Sequence, residues 1–342
     1  MNRPPRFSVA IPTYNRRASF LPQAIEGVLQ QSFTDFELIV SDNGSSDGTA
    51  DYVRSLADPR IRLVRRDPTI PAGEHFAAVA REAVGEFYVM HQDDDLLHRD
   101  FLARADAAFT AHPEAVIYSC PIWRQAHGHG YHSRLLRHRE GHDDMAVIRD
   151  EQTVFAGPYA AIQFFDPIRQ FLHPTLAVRN ATLAEIGGYD PGATYQSDLV
   201  TQARLLFHGT LAYDPRPGGV SRVHPSNFMR TKGKAFRKMF FHNSHVELIS
   251  AFEQAGVPWQ ALLDEYLGKL SEKEILACLF EWTYYRTPLE LQKLGFAALR
   301  RTQKSGRHHV RQCLTKLGPR NLMRYGFSHW SDAGETSWSL SR

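Results

Sequence analysis

Residues 85–97 read GEFYVMHQDDDLL. A short apolar run, Glu86 to His91, ends in three carboxylates, Asp93, Asp94 and Asp95. Apolar runs of this length, bounded by glycine, are a signal for a buried strand. The same pattern repeats outward from it. Phe7 to Ile11 reads as a strand ended by Pro12, and Glu37 to Ser41 as a second, closed by a turn cluster from Asp42 to Gly48. Ile61 to Arg65 and Ala115 to Ser119 read as further strands. Helix-spaced segments lie between them. One spans Phe20 to Leu29 with Ser19 as a candidate cap, and one follows a cap at Ser46 or Asp47. Others span Glu74 to Val84 and Asp100 to Ala111. Strand alternating with helix predicts an α/β fold with a mostly parallel sheet flanked by helices. Ligands of such sheets bind outside the carboxyl ends of the strands. Pro12, Thr13, Tyr14, Asp42 and the run Asp93 to Asp95 all fall there.

Three adjacent carboxylates repel one another and call for a counter-charge. A magnesium or manganese ion holding a diphosphate is one resolution, and a solvated acidic turn is the other. Asp42, at a strand end, suits the ribose or base of a nucleotide; its alternative is an Asx turn with Asn43 and Gly44. The chain has no G-x-G-x-x-G after its first strand and no G-x-x-x-x-G-K-[ST]. A dinucleotide-binding enzyme and a P-loop NTPase are therefore disfavoured.

The 342 residues, 43% apolar and 23% charged, suit a globular chain of about two domains. A net charge of +3 does not select a partner. Three scattered cysteines exclude a disulfide framework and a thiolate zinc site. No apolar run approaches the ~18–20 residues that span a bilayer, and the first residues are too short in apolar character for a secretory signal. The expectation is a cytoplasmic protein.

From Arg124 to Asp150 the periodicity fails, and a long loop is expected. It holds five of the 17 histidines, from His127 to His142, read as a solvated loop or acceptor-side lid rather than a zinc site. Leu172 to Arg179 reads as a strand, Thr182 to Ile186 as a short helix, Gly187 to Asp190 as a turn and Asp198 to Phe207 as a helix. Beyond Lys234 the pattern is helical throughout: Phe240 to Phe252, Trp259 to Leu270, Glu272 to Tyr285 and Leu289 to Arg301. The expected division is residues 1–232 and a smaller all-helical region, 233–342, basic from about 286. Arg286 to Arg324 carries ten Lys or Arg against one acid, Glu290. Such a segment suits an anionic membrane surface or a solvated helix face. No aromatic-interleaved motif accompanies it, so no nucleic acid is expected. Trp282, Tyr284 and Tyr285 are read as core residues.

Three segments, VAIPTYN at 9–15, IVSDNGSSDGT at 39–49 and GEFYVMHQDDDLL at 85–97, resemble the family 2 glycosyltransferases in the family's own order. These are inverting enzymes of the GT-A fold, and the resemblance extends over about residues 6–230. It implies a nucleoside diphosphate sugar donor, UDP-sugar favoured, and Mn2+ or Mg2+. It implies that Pro12, Thr13 and Tyr14 line the nucleotide pocket and that Asp42 contacts the base. Asp93 and Asp95 would frame the family's D-x-D metal motif with Asp94 beside them, the register open by one residue.

The resemblance continues in IGGYD at 186–190 and in Ser197-Asp198, which stands where the family has an acidic pair. Asp198 is the implied base, with Asp190 as the alternative; Ser197 departs from the pattern. An inverting transfer needs one carboxylate to deprotonate the attacking hydroxyl. A metal on the departing diphosphate removes the need for a protein acid. RVHPSN at 222–227 resembles the family's closing segment, with His224 able to reach the metal or diphosphate and Arg222 the phosphate charge. No Q-x-x-R-W follows, which implies transfer of a single sugar. The implied acceptor is a glycan or lipid-linked glycan in bacterial surface polysaccharide synthesis, at the inner face of the membrane. A nucleotidyltransferase and a non-catalytic nucleotide-sugar-binding module are the alternatives.

Overall fold

The computed structural model describes residues 3–126, 134–137, 154–166, 175–190, 197–227, 231–285, 287–302, 327–332 and 335–340. The chain forms two compact units, Met1–Phe164 with Arg169–Thr231, and Phe165–Ile168 with Lys232–Arg342.

In the first unit the elements are β1 (Phe7–Thr13), α1 (Leu21–Leu29), β2 (Phe36–Asp42), α2 (Thr49–Ser55), β3 (Ile61–Arg65), α3 (Ala72–Arg81), β4 (Phe87–Met90), β5 (Leu96–Leu97), α4 (Phe101–Ala111) and β6 (Ala115–Ser119). There follow β7 (Ile122–Ala126), β8 (Arg134–Arg137), β9 (Val154–Ala156), α5 (Gly157–Ile162), β10 (Leu176–Arg179), α6 (Asn180–Glu185), α7 (Ser197–Leu206), β11 (Thr210–Tyr213) and β12 (Gly219–Val223). The main sheet has eight strands in the order β3-β2-β1-β4-β10-β6-β11-β9. β1 runs parallel to β2 and β4, and β2 to β3. β10 lies antiparallel between β4 and β6, which therefore point the same way. This is the mostly parallel α/β sheet expected, with one reversed strand inside it.

Continuous burial, not alternation, marks the inner strands. All seven residues of β1 are buried, as a strand covered on both faces requires. α1 buries Leu21, Ala24, Ile25 and Val28, spaced three and four apart against the sheet. Ser19 does not cap it. Phe20 occupies the cap position, and the Ser19 hydroxyl donates to Arg16 O at 3.1 Å. Asp47 sits just before α2, accepting from the Thr49 amide at 3.0 Å, with Gly48 at the cap itself. Phe87 anchors the core between Phe7 and a stacked Phe109, with the guanidinium carbons of Arg6 and Arg179 4.7 and 5.1 Å from its ring centre.

A second sheet, β5-β12-β7-β8, was not legible as periodicity. Part of the expected loop, Arg134–Arg137, is a strand paired antiparallel with β7, and β12 runs parallel to β7. Pairing across the chain, rather than local pattern, makes these strands. The remaining histidine-rich residues, 127–133 and 138–153, lie outside the described residues.

The second unit contains α8 (Lys234–Gln254), α9 (Trp259–Gly268), α10 (Glu272–Tyr284) and α11 (Leu289–Thr302), with a hairpin of β13 (Phe327–Asp332) and β14 (Glu335–Leu340) that the helical pattern did not announce. Ser271 and Glu274 form a reciprocal cap on α10. Trp282 is 1% exposed and its indole donates to Phe165 O at 2.8 Å, a core residue as read. Among the described residues no helix is long and apolar enough to cross a membrane. Most of the basic segment, 303–326, lies outside the described residues.

Gly157 opens α5 under the end of α7. A Cβ there would stand 1.7 Å from Leu206 O and 2.0 Å from Gly209 O. Both obstacles are backbone, so neither can swing aside. Gly157→Ala is expected to lose at least about 3 kcal/mol, at the upper end of overpacking costs; chemical denaturation measures it, and a loss below 1 kcal/mol would refute the close approach.

Candidate active site

The carboxyl ends of β1, β2 and β4 meet at one edge. Thr13 faces Asp42 in the ladder of β1 and β2. The Thr13 hydroxyl donates to Asp93 Oδ2 at 2.8 Å, and Arg16 Nε lies 3.8 Å from the same oxygen. Pro12 and Thr13 are buried, while Tyr14 is 51% exposed just beyond them. Asp42 is fully buried, its Oδ1 accepting from the Ser45 amide at 2.9 Å and its Oδ2 from Arg65 at 3.4 Å. Asn43 closes this corner by exchanging two hydrogen bonds with Ile70, at 2.8 and 3.0 Å.

The three carboxylates of the acidic run differ in surroundings. Asp95 is 5% exposed and accepts from the Arg222 amide at 2.8 Å. Burial, then the charge of Asp94, pushes its pKa up to about 7. Burial likewise pushes Asp93 up to about 6, against the opposing hydrogen bond from Thr13. Asp94 Oδ2 lies 3.0 Å from His224 Nε2 and accepts from Asn227 Nδ2 at 3.1 Å. The register of β12 explains this meeting. Val220 pairs with Leu96 antiparallel, so the next residues of β12 run back past Asp95 and Asp94. His224 Nδ1 is 2.8 Å from Ser226 Oγ, which orients the ring. Arg222, read from sequence as a phosphate contact, is 3% exposed, and its guanidinium donates to Asp94 O and Gln23 Oε1.

Among the described residues no three His, Cys, Asp or Glu side chains converge to enclose a cation. Asp94 and His224 form a pair of oxygen and nitrogen donors, with the carboxyl groups of Asp93 and Asp95 beside them. That donor set fits a magnesium or manganese ion that keeps open positions for phosphate oxygens.

Asp198 lies in the first turn of α7, where its Oδ1 accepts from the Leu199 amide at 2.8 Å. α7 leads into β11, which runs parallel to β6 and so starts at the opposite edge of the sheet. The first turn of α7 is therefore the end nearer the carboxylates. Tyr189 is buried behind it, and the charge of Asp198 adds to burial in raising that phenol. Gly187 and Gly188, at φ +85° and +76°, make the preceding turn; two successive left-handed residues require glycine. Asp190 ends that turn, exposed.

Sequence reasoning did not mark Asn227, Gln23, Phe20, Arg65 or Arg16. Asn227 stood inside a quoted motif. Gln23 and Phe20 carried only helical spacing, and their role depends on a partner 199 to 202 residues away.

His75 lies behind Asp42, 4% exposed, its Nε2 2.8 Å from Ser41 Oγ. Burial, with Arg66 nearby, holds its pKa down to about 4. The folded ring stays neutral while the unfolded chain takes a proton below about 6.5. Stability is therefore expected to fall as pH drops from about 6.5 to 4, by on the order of 3 kcal/mol from this group at about 1.4 kcal/mol per unit. Denaturation at both pH values measures it; a His75→Gln variant with the same slope would assign the loss elsewhere.

The family model described as "Glycosyl transferase family 2" matches residues 8–172. Among curated proteins, the GalNAc(5)-diNAcBac-PP-undecaprenol beta-1,3-glucosyltransferase of Campylobacter jejuni is 39% identical over 97 residues, covering 27% of this chain and 31% of that protein. The PGL/p-HBAD biosynthesis glycosyltransferase of Mycobacterium tuberculosis is 32% identical over 125 residues, covering 35% of this chain and 48% of its own. The chain thus spans less than half the length of these relatives. Among solved structures, S. aureus TarS 1–349 with UDP has a TM-score of 0.57 at 15% identity, over 98% of this chain and 97% of that one. Mannosyltransferase PcManGT from Pyrobaculum calidifontis, with GDP-Man and Mn2+, has a TM-score of 0.54 at 19% identity, over 88% of each chain. The ordered strand-end motifs and the sheet that gathers them agree with these likenesses, and residues 8–172 match glycosyl transferase family 2.

Proposed function

We propose that this chain transfers one sugar, with inversion, from a nucleoside diphosphate sugar to a glycan or lipid-linked acceptor, with Mn2+ or Mg2+. The observation that carries the reading is the pairing of Asp94 with His224 beside Thr13 and Asp93, at the strand edge where Asp42 also ends. In this reading Pro12, Thr13 and Tyr14 line the nucleotide pocket, with half-exposed Tyr14 free to stack on a base. Arg65, held by the fully buried Asp42, presents the polar edge that reads the base. Asp94 and His224 hold the metal, with the carboxyl groups of Asp93 and Asp95 beside them. A divalent ion held there would stabilise negative charge on the departing diphosphate. Asp198 takes the proton from the acceptor hydroxyl as that oxygen attacks the anomeric carbon from the face opposite the leaving group.

The relative from Campylobacter jejuni, whose name specifies an undecaprenol-linked acceptor, supports a lipid-linked acceptor. The neighbours solved with UDP, UDP-GlcNAc and GDP-Man support a nucleotide-sugar donor without choosing the base. The basic residues from Arg286 onward would hold the protein against the anionic inner face of a membrane.

The test is a thermal-shift screen of UDP-, GDP- and dTDP-sugars with Mn2+, followed by assay for released nucleoside diphosphate. A specific donor at a hundred times its Kd adds about 2.7 kcal/mol of stability. Stabilisation by no donor would count against the reading. Pyrophosphate release from a nucleoside triphosphate would mark a nucleotidyltransferase, and donor binding without turnover on any acceptor would mark a binding module.

A further inference from the structure

Arg222 is a buried cation whose guanidinium reaches neutral oxygens. Nε donates to Asp94 O and Nη1 to Gln23 Oε1, while Nη2 lies 3.4 Å from the carbonyl oxygens of Phe20 and Asp95. Its own amide donates to Asp95 Oδ1 at 2.8 Å. The guanidinium carbon stands 4.5 Å from the centre of the Phe20 ring, and that ring is 4.5 Å from the imidazole of His224. One side chain thus grips the backbone at Asp94 and Asp95, and is itself gripped by the start of α1. His224 follows two residues later on the same strand end.

This arrangement has a mechanical consequence. The Asp94 carboxylate is carried by backbone that Arg222 holds from within, and His224 is carried by the strand to which Arg222 belongs. The relative height of the two donors is set where Arg222 is anchored. Gln23 and Phe20 supply that anchor from a part of the chain that contributes no donor of its own. A guanidinium fork suits this task because its donors are planar and fixed, so displacement of one bond tilts the others.

We propose that Arg222, braced by Gln23 and Phe20, is a positioning residue that sets the spacing of Asp94 and His224 for a divalent cation. The proposal rests on the metal reading of that pair and deepens it. Gln23 is exposed and lines an open groove of about 730 Å³ with Ser19, Glu26 and Gln30, so its removal leaves no buried void.

The experiment titrates Mn2+ into the full chain, alone and with UDP or GDP, and follows the electron paramagnetic resonance signal of the free ion. Parent, Gln23→Ala, Arg222→Lys and Asp94→Ala are compared, each also melted thermally. Outer partners of metal ligands typically contribute 10–100-fold in affinity. Gln23→Ala is expected to weaken Mn2+ binding about 10-fold at an unchanged melting temperature, and Gln23→Glu, which restores an acceptor for Nη1, to recover it. Arg222→Lys keeps the charge but loses the fork, and is expected to bind Mn2+ still more weakly. Parent-like Mn2+ affinity in both Gln23→Ala and Arg222→Lys, with binding abolished in Asp94→Ala, would overturn the positioning role and leave the metal reading intact. Absence of Mn2+ binding by the parent chain would overturn both.

Discussion

An Asp198→Asn variant is expected to bind donor as the parent does and to transfer sugar about 10²–10⁴-fold more slowly. The amide is nearly isosteric with the carboxylate and still offers Oδ1 to the Leu199 amide. Loss of negative charge in the first turn of α7 costs only about 0.3–1 kcal/mol of helix-dipole interaction. Folding should therefore survive while proton removal fails. The discriminating measurement is kcat together with donor affinity by calorimetry. Asp190→Asn serves as the comparison, since Asp190 is exposed in the turn after Gly188. Parent-like kcat in Asp198→Asn with a collapse in Asp190→Asn would transfer the role to Asp190. Parent-like kcat in both would remove the base from this part of the chain.

The second large effect concerns Asp94. Asp94→Ala should abolish the Mn2+-dependent part of donor stabilisation and lower kcat/KM by at least about 10²-fold, since a metal on the leaving group contributes several kcal/mol of charge stabilisation. The neighbouring Asp95→Ala should fail differently. Its carboxylate takes the Arg222 amide in a buried place, so removing it orphans that amide and costs about 1–3 kcal/mol of stability. Paired melts and Mn2+ titrations separate the two. If Asp94→Ala keeps full Mn2+ dependence while Asp95→Ala loses it, the donor role belongs to Asp95.

The legible parts of this molecule were those written in local pattern. β1, β2, β3, β4 and β6 are apolar runs with turn residues at their ends, and the carboxylates that follow β4 are adjacent in sequence. Sheet order then brings Thr13, Asp42 and Asp93 together without further information. What escaped was written in pairings between distant segments. β5 has two residues and β12 five, too short for a periodic signal. Yet their antiparallel register is what lays Arg222 and His224 against the acidic run. Arg222 was legible as a charge near phosphates, but its burial depends on Phe20 and Gln23, whose spacing announced only a helix. The run Asp93 to Asp95 looked uniform in sequence; burial and partners divide it into Asp93 on Thr13, Asp94 on His224 and Asp95 on Arg222.

The reversed strand has an evolutionary meaning. Because β10 lies antiparallel between β4 and β6, it enters the sheet at Leu176 opposite Ser119, on the edge that carries the carboxylates, after the chain has made β7, β8 and β9. Residues added or lost between β8 and β9 leave the order of the named strands intact. The half of the molecule that ends β1, β2 and β4 can then be inherited unchanged while the intervening stretch diversifies. A lineage built this way can exchange what it recognises on one side without rebuilding the other.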